Sequence, residues 1–183
     1  MSSETEVKIK IKDPADFCGL LEALNPVQIS PRHFEDNRLL DFPNESLHMQ
    51  QRLVRIRTVE GWGILTYKGP PRPDGVFKTR EEIETGLENA DFTLQIFEQI
   101  GMQVYFQYQK YRREFEIEGV HVAVDETPIG NYVELEGTKE AIRSLAQKLG
   151  FEESQFVSLS YYDLYLEHCR NIGTAPRFMV FTD

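Results

Sequence analysis

Residues 4–12 read ETEVKIKIK. Val7, Ile9 and Ile11 alternate with Glu6, Lys8 and Lys10, which is the period of a β-strand. The polar face opens with two carboxylates, Glu4 and Glu6, and then changes to two ammonium groups, Lys8 and Lys10. A strand wetted on one face has no need to group its charges by sign. The stretch is therefore either a solvated edge or the wall of a site that handles both a cation and an anion.

The same face recurs along the chain. Arg55 and Arg57 alternate with Val54 and Ile56, and Thr66 and Lys68 with Leu65 and Tyr67. Lys78 and Arg80 share a face, as do Glu82 and Glu84 around Ile83. Lys110, Arg112, Glu114 and Glu116 oppose Tyr111, Arg113, Phe115 and Ile117. Glu134 and Glu136 alternate with Val133 and Leu135, and Asp125 falls on the face opposite Val120, Val122 and Val124. Like charges opposed across strands cost stability, so repeated pairs of one sign point to a polyanion held partly through a metal ion. Mg²⁺ takes carboxylate and phosphate oxygens, while Arg and Lys hold the remaining phosphate oxygens. Lys10 and Glu116, at strand ends, are expected to be solvated, and Arg113 to lie on the outside.

The candidate strands are 4–12, 32–42, 50–59, 62–69, 76–85, 103–108, 109–118, 120–126 and 131–137, separated by turn signals such as Glu60-Gly61 and Glu118-Gly119. Four helices are expected. Asp13-Pro14 starts one through Leu24, and Asp91 caps a second ending at Gly101. A third runs from Thr138 to Gly150, and a fourth over 158–169, with strand left open for its first part. The chain thus predicts a β-dominated α+β fold, an antiparallel barrel closed so that no edge is exposed. At 183 residues, with 40% apolar and 27% charged side chains, it suits one globular domain, 1–183. A net charge of −10 argues against general affinity for nucleic acid or anionic membranes. No apolar membrane span or signal region is evident. Cys18 and Cys169 read as free thiols of a cytoplasmic protein. The four histidines have no zinc-type spacing, and Trp62 reads as an outer turn aromatic.

These residues resemble the CYTH superfamily, the triphosphate tunnel metalloenzymes, over nearly the whole chain. The resemblance rests on ExExK (Glu4 to Lys8), RIR (55–57), LTYKGP (65–70), KTREEIE (78–84), KYRREFE (110–116) and VAVDETPIGNYVELEG (122–137), in that order. It implies an eight-stranded antiparallel closed β-barrel, charged inside and flanked by helices, acting on a small-molecule triphosphate with Mg²⁺ or Mn²⁺. By motif, Glu4, Glu6, Glu134, Glu136, Asp125 and Glu82 or Glu84 fall to the metal. Lys8, Arg55, Arg57, Lys68, Arg80, Lys110 and Arg112 fall to the phosphates, and Glu4, Glu6 and Lys8 to catalysis. Where many members read D-x-YFDTP, this chain has EDNRLLDFP at 35–43. Hydrolysis of inorganic, thiamine or nucleoside triphosphate is the expected reaction. Cyclisation of ATP to cyclic AMP and non-catalytic polyphosphate or nucleotide binding are the alternatives, and a homodimer is implied by family resemblance alone.

Overall fold

The computed structural model describes residues 2–182. Eight strands close on themselves: β1 (Ser2–Ile11), β9 (Gly130–Glu136), β8 (Val120–Thr127), β7 (Gln103–Ile117), β2 (Val27–Asp41), β3 (Leu53–Val59), β4 (Trp62–Lys68) and β6 (Phe77–Leu87), with β6 returning to β1. Every pairing is antiparallel, and β1 closes the ring by pairing Glu4 with Arg80 and Glu6 with Lys78 on one side and Glu6 with Glu136 on the other. Two short strands, β5 (Arg72–Asp74) and β10 (Phe156–Val157), attach to β6 and β1. The closed, β-dominated α+β barrel expected from the alternation is the fold observed.

The barrel is built inside out relative to an apolar-cored one. Val7, Ile9, Val122, Val124, Val133 and Leu135, the apolar alternates, are buried on the outside of the barrel under α1 (Pro14–Glu22) and α4 (Lys139–Lys148). Phe17 and Leu21 of α1 and Ile142 and Leu145 of α4 complete that layer. Burying such side chains contributes about 1.5–3 kcal/mol each, so stability comes from the barrel's exterior and the bore is left for polar groups. On the opposite wall Leu40 and Ile56 pack against α3 (Ala90–Gln99). The close approach of α3 requires Gly63, since a Cβ there would stand 2.9 Å from those of Ala90 and Leu87.

Local chemistry explains the helix ends. The Asp13 carboxylate accepts from the Ala15 and Asp16 amides at 2.7 and 3.3 Å, with Pro14 opening α1. Thr138 caps α4, and Ser160 with Asp163 forms a capping box that starts α5 (Tyr161–Ile172). The second expected cap is displaced: Asn89, not Asp91, accepts the Phe92 amide at 2.8 Å, and Asp91 stands in the first turn.

Further boundaries differ from expectation: α5 runs over Tyr161–Ile172 rather than 158–169, and β3 begins at Leu53 rather than 50. The two strands expected over 103–108 and 109–118 are one fifteen-residue strand, β7, because the inward face continues unbroken through Phe106, Tyr108, Lys110, Arg112 and Glu114. β2 begins at Val27 rather than 32, its extra residues absorbed by register shifts around Ser30 and His33. A short helix, α2 (Ser46–Met49), had no counterpart in the sequence reading. Among the described residues no helix is long and apolar enough to cross a membrane, and Cys18 and Cys169 are free and buried.

Candidate active site in the barrel bore

Inward alternates from seven of the eight barrel strands, all but β2, line a cavity of about 510 Å³. Among the described residues its wall carries eight cations, Lys8, Arg55, Arg57, Lys68, Lys78, Arg80, Lys110 and Arg112. Seven carboxylates share it: Glu4, Glu6, Glu82, Glu84, Glu114, Glu134 and Glu136. The predicted site residues are thus brought together, with one exception. Asp125 is fully buried and lies behind the lining. Its oxygens accept from Lys110 Nζ at 2.9 Å, Arg112 Nε and Nη2 at 2.7 and 2.6 Å, and Tyr161 Oη at 2.6 Å. Both oxygens already have donors, and a strand-to-strand clamp on two cations is the geometry present.

Side chains from neighbouring strands interlock by sign. Lys8 Nζ lies 3.2 Å from Glu6 and 3.1 Å from Glu134. Burial opposes its charge, but the carboxylates of Glu134 and Glu6 prevail and hold its pKa above the ordinary lysine range. Arg112 reaches Glu134 at 2.5 Å. Lys68 bridges Glu4 at 2.5 Å and Glu82 at 3.1 Å. Arg55 donates to Tyr108 Oη, Thr66 Oγ1 and Glu84 at 3.1–3.3 Å, while its buried Nε has no hydrogen-bond partner among the described residues, and neither has Arg80 Nε.

On the acidic side the carboxylates outrun the cations. Glu82 is pushed well up by burial and by a hydrogen bond with Glu4. Against the effect of burial, that same bond and the Lys68 ammonium keep Glu4 low. Glu136 is raised to about 7, by burial first and then by the charge of Glu4. Lys78 falls to about 8 through burial and the proximity of Lys8. Carboxylates that keep protons near neutral pH are short of positive charge, which a divalent cation supplies. Among the described residues no three acidic or imidazole groups already converge into a metal cage. An ion that keeps water and phosphate oxygens as ligands needs only one or two carboxylates, so the donor set fits Mg²⁺ or Mn²⁺ arriving with a phosphate ligand.

Sequence reasoning missed three participants. Glu35 of β2 is almost fully buried, 3.3 Å from Arg57 and 3.5 Å from both Lys110 and His33. His121 lines the bore beside Glu114 at 3.3 Å, and that hydrogen bond raises its pKa. Tyr161, at the start of α5, stands in the bore with its ring 5.3 Å from Lys8 Nζ and 5.1 Å from Lys110 Nζ. Glu35 and His121 carried no like-signed partner two residues away, the signal that exposed the others. Trp62 is 75% exposed at its turn, away from the bore, as expected. Arg113 points outward, 3.5 Å from Cys18 Sγ.

A closed antiparallel barrel with an ionic bore defines the class: a tunnel barrel whose charged residues face each other across an enclosed space. Within that class the chain belongs to the CYTH domain family, whose model matches residues 2–161. A Methanocaldococcus jannaschii protein named as a candidate adenylate cyclase, MJ0240, is 26% identical over 172 residues, 88% of this chain and 97% of that one. Adenylate cyclase CyaB of Aeromonas hydrophila is 26% identical over 176 residues, 88% of this chain and 87% of its own. Among solved structures, a candidate adenylate cyclase from Vibrio parahaemolyticus superposes with a TM-score of 0.78 at 20% identity, covering 88% of this chain and 96% of that one. The Hippeastrum adenylyl cyclase homologue HpAC1, described as having a dominant triphosphatase activity, gives 0.67 at 16% identity, with 94% and 97% covered. These two structures bear on the fold alone.

Proposed function

We propose that this chain is a metal-dependent enzyme that holds a triphosphate inside the barrel and hydrolyses it. The single observation behind this reading is the wall itself, in which guanidinium and ammonium groups from separate strands face one enclosed space with carboxylates set among them. A non-catalytic anion binder gains nothing from seven carboxylates, each of which repels its ligand.

In this reading Lys8, Arg55, Arg57, Lys68, Arg80, Lys110 and Arg112 grip phosphate oxygens. At an effective dielectric near 20, two unit charges about 4 Å apart interact by about 4 kcal/mol. Arg55 and Arg80, with unpartnered Nε groups, have hydrogen-bonding capacity in reserve. Glu4, Glu6, Glu82, Glu84, Glu134 and Glu136 are the groups that would hold Mg²⁺ or Mn²⁺. When bound, the ion neutralises charge that builds on the phosphate oxygens. Glu4 and Glu6, near the start of β1, orient the attacking water, while Lys8 is kept ionised between Glu6 and Glu134. We assign Asp125 to positioning Lys110 and Arg112 rather than to the metal, since its oxygens already accept from both and from Tyr161. Phosphoryl transfer of this kind depends on placement and charge more than on covalent chemistry from the protein.

A second reading, cyclisation of ATP by its own 3′-hydroxyl to cyclic AMP, is favoured by the names of the two curated relatives. The experiment presents tripolyphosphate, thiamine triphosphate and ATP in parallel with Mg²⁺ or Mn²⁺, and follows phosphate release beside cyclic AMP formation. Phosphate release supports hydrolysis, and cyclic AMP as the main product replaces it with the second reading. Neither product with any substrate or metal defeats both.

A further inference from the structure

Beside the ionic cavity lies a second chamber of about 410 Å³, within the size of small-molecule sites. Leu53, Lys78, Arg80, Tyr108, Ser160 and Tyr161 line both spaces, so the chamber continues the bore at its aromatic end. A ligand whose phosphates occupied the bore would find room here for its remaining part.

The chamber wall is built around three rings. His48 lies 5.0 Å from Tyr105 and 5.4 Å from Tyr162, and the two tyrosines are 5.1 Å apart. His48 comes from α2, and a specific device holds it there. Asp41 Oδ1 accepts from the Phe42 and Leu47 amides at 2.7 and 3.0 Å, and Oδ2 from the His48 amide at 2.8 Å. Arg80 Nη2 donates to the Gln51 carbonyl at 2.7 Å, tying the loop after α2 to a strand of the bore. Glu45 and Gln51 take the left-handed conformation that non-glycine residues avoid, which marks a backbone held by these contacts. Tyr105 Oη is buried and interacts with Tyr162, but makes no well-formed hydrogen bond among the described residues, so it can take up a polar atom of a ligand beside the rings.

Charge selects among planar ligands. The two carboxylates of the lining are engaged, Asp41 with backbone amides and Asp163 with the amide and hydroxyl of Ser160. The other charged groups of the lining are Arg52, Arg72, Lys78 and Arg80. A cationic heterocycle such as a thiazolium would enter against that charge. An uncharged nucleobase meets stacking surface and hydrogen-bonding groups without that repulsion.

We propose that this chamber, walled by His48, Tyr105 and Tyr162, binds an uncharged nucleobase, making a nucleoside triphosphate the preferred ligand over thiamine triphosphate and bare tripolyphosphate. The assignment rests on the triphosphate reading of the bore. The test compares kcat/KM for ATP, thiamine triphosphate and tripolyphosphate, with Mg²⁺, in the wild type, His48→Ala and Tyr105→Phe, each checked by thermal unfolding. The expected order in the wild type is ATP first. Tyr105→Phe should raise KM for ATP about 2- to 10-fold, as for one lost hydrogen bond, and His48→Ala by about the same factor. Tripolyphosphate turnover should stay within about twofold, because neither side chain lines the ionic cavity. Preference for thiamine triphosphate or tripolyphosphate, or parallel losses on ATP and tripolyphosphate, overturns the assignment. Adenosine, which carries no phosphate, separates its failure from that of the bore. Saturation transfer from the wild type to adenosine, lost in His48→Ala, supports the chamber even if no triphosphate turns over. Absence of transfer in the wild type overturns it even if tripolyphosphate is hydrolysed.

Discussion

Replacing Asp125 by asparagine tests how the cations of the bore are held. The carboxylate is fully buried and contacts Lys110 at 2.9 Å, Arg112 at 2.6 Å and Tyr161 at 2.6 Å. Each charge pair at such distances is worth several kcal/mol gross at an effective dielectric near 20. The loss is partly offset, since Arg112 keeps Glu134 at 2.5 Å and Lys110 keeps Glu35 at 3.5 Å. What remains is the penalty for a buried cation left short of its partner, about 3–5 kcal/mol. For a chain of this length that lowers Tm by about 6–20 °C, at roughly 2–4 °C per kcal/mol. Circular dichroism melts in EDTA measure the stability, and the Mg²⁺ dependence of turnover measures the metal. Asp125→Asn is expected to melt lower and lose kcat/KM, yet need the same Mg²⁺ concentration for half-maximal rate. A variant with unchanged Tm and a greatly increased Mg²⁺ requirement would refute this reasoning and make Asp125 a metal ligand.

Glu35→Gln removes one charged partner of Arg57 and of Lys110. Chemical melts should show a loss of about 2–4 kcal/mol, and tripolyphosphate should recover more stability in the variant than in the wild type. Glu6→Gln should abolish turnover in a phosphate-release assay while Tm moves little, because Lys8 retains Glu134 at 3.1 Å; retained activity would count against its role. Glu136 is raised to about 7 and Glu82 is also pushed up, so the folded protein keeps protons that the unfolded chain releases near 4.5. Their contribution is full at low pH and lost as pH rises through the folded values, so Tm in EDTA should fall between pH 6 and 8. Above about pH 8, Lys78, lowered from the ordinary lysine value, works in the opposite direction. Added Mg²⁺ should flatten the decline, and melts across that window with and without the ion check it.

The barrel was legible because its inner and outer faces carry opposite chemistry at period two. Glu4, Glu6 and Lys8 stand opposite Val7 and Ile9 in the chain and on opposite sides of the wall in space. β7 shows the limit of that signal. Its inner face changes from Phe106 and Tyr108 to Lys110 and Arg112, and the change of chemistry resembled a boundary although the strand runs on. Glu35 was not legible because its partners, Arg57 and Lys110, come from strands 22 and 75 residues away in sequence. The same holds for α2. Its four residues carry no amphipathic period, and they are helical because Asp41 supplies acceptors for their amides. The aromatic chamber beside the bore depends on that contact and on α5 returning to the barrel, neither of which a local pattern encodes.

The account stands or falls on whether the cations lining the bore act together on one polyanion with a divalent cation beside it. Calorimetric titration of tripolyphosphate into the wild type and Arg55→Met, with Mg²⁺ and with EDTA, measures this directly. One site per chain is expected in the wild type, weakened by EDTA and weakened at least tenfold by Arg55→Met while the fold persists. Binding that is absent, or that is indifferent to both the arginine and the metal, would contradict the account.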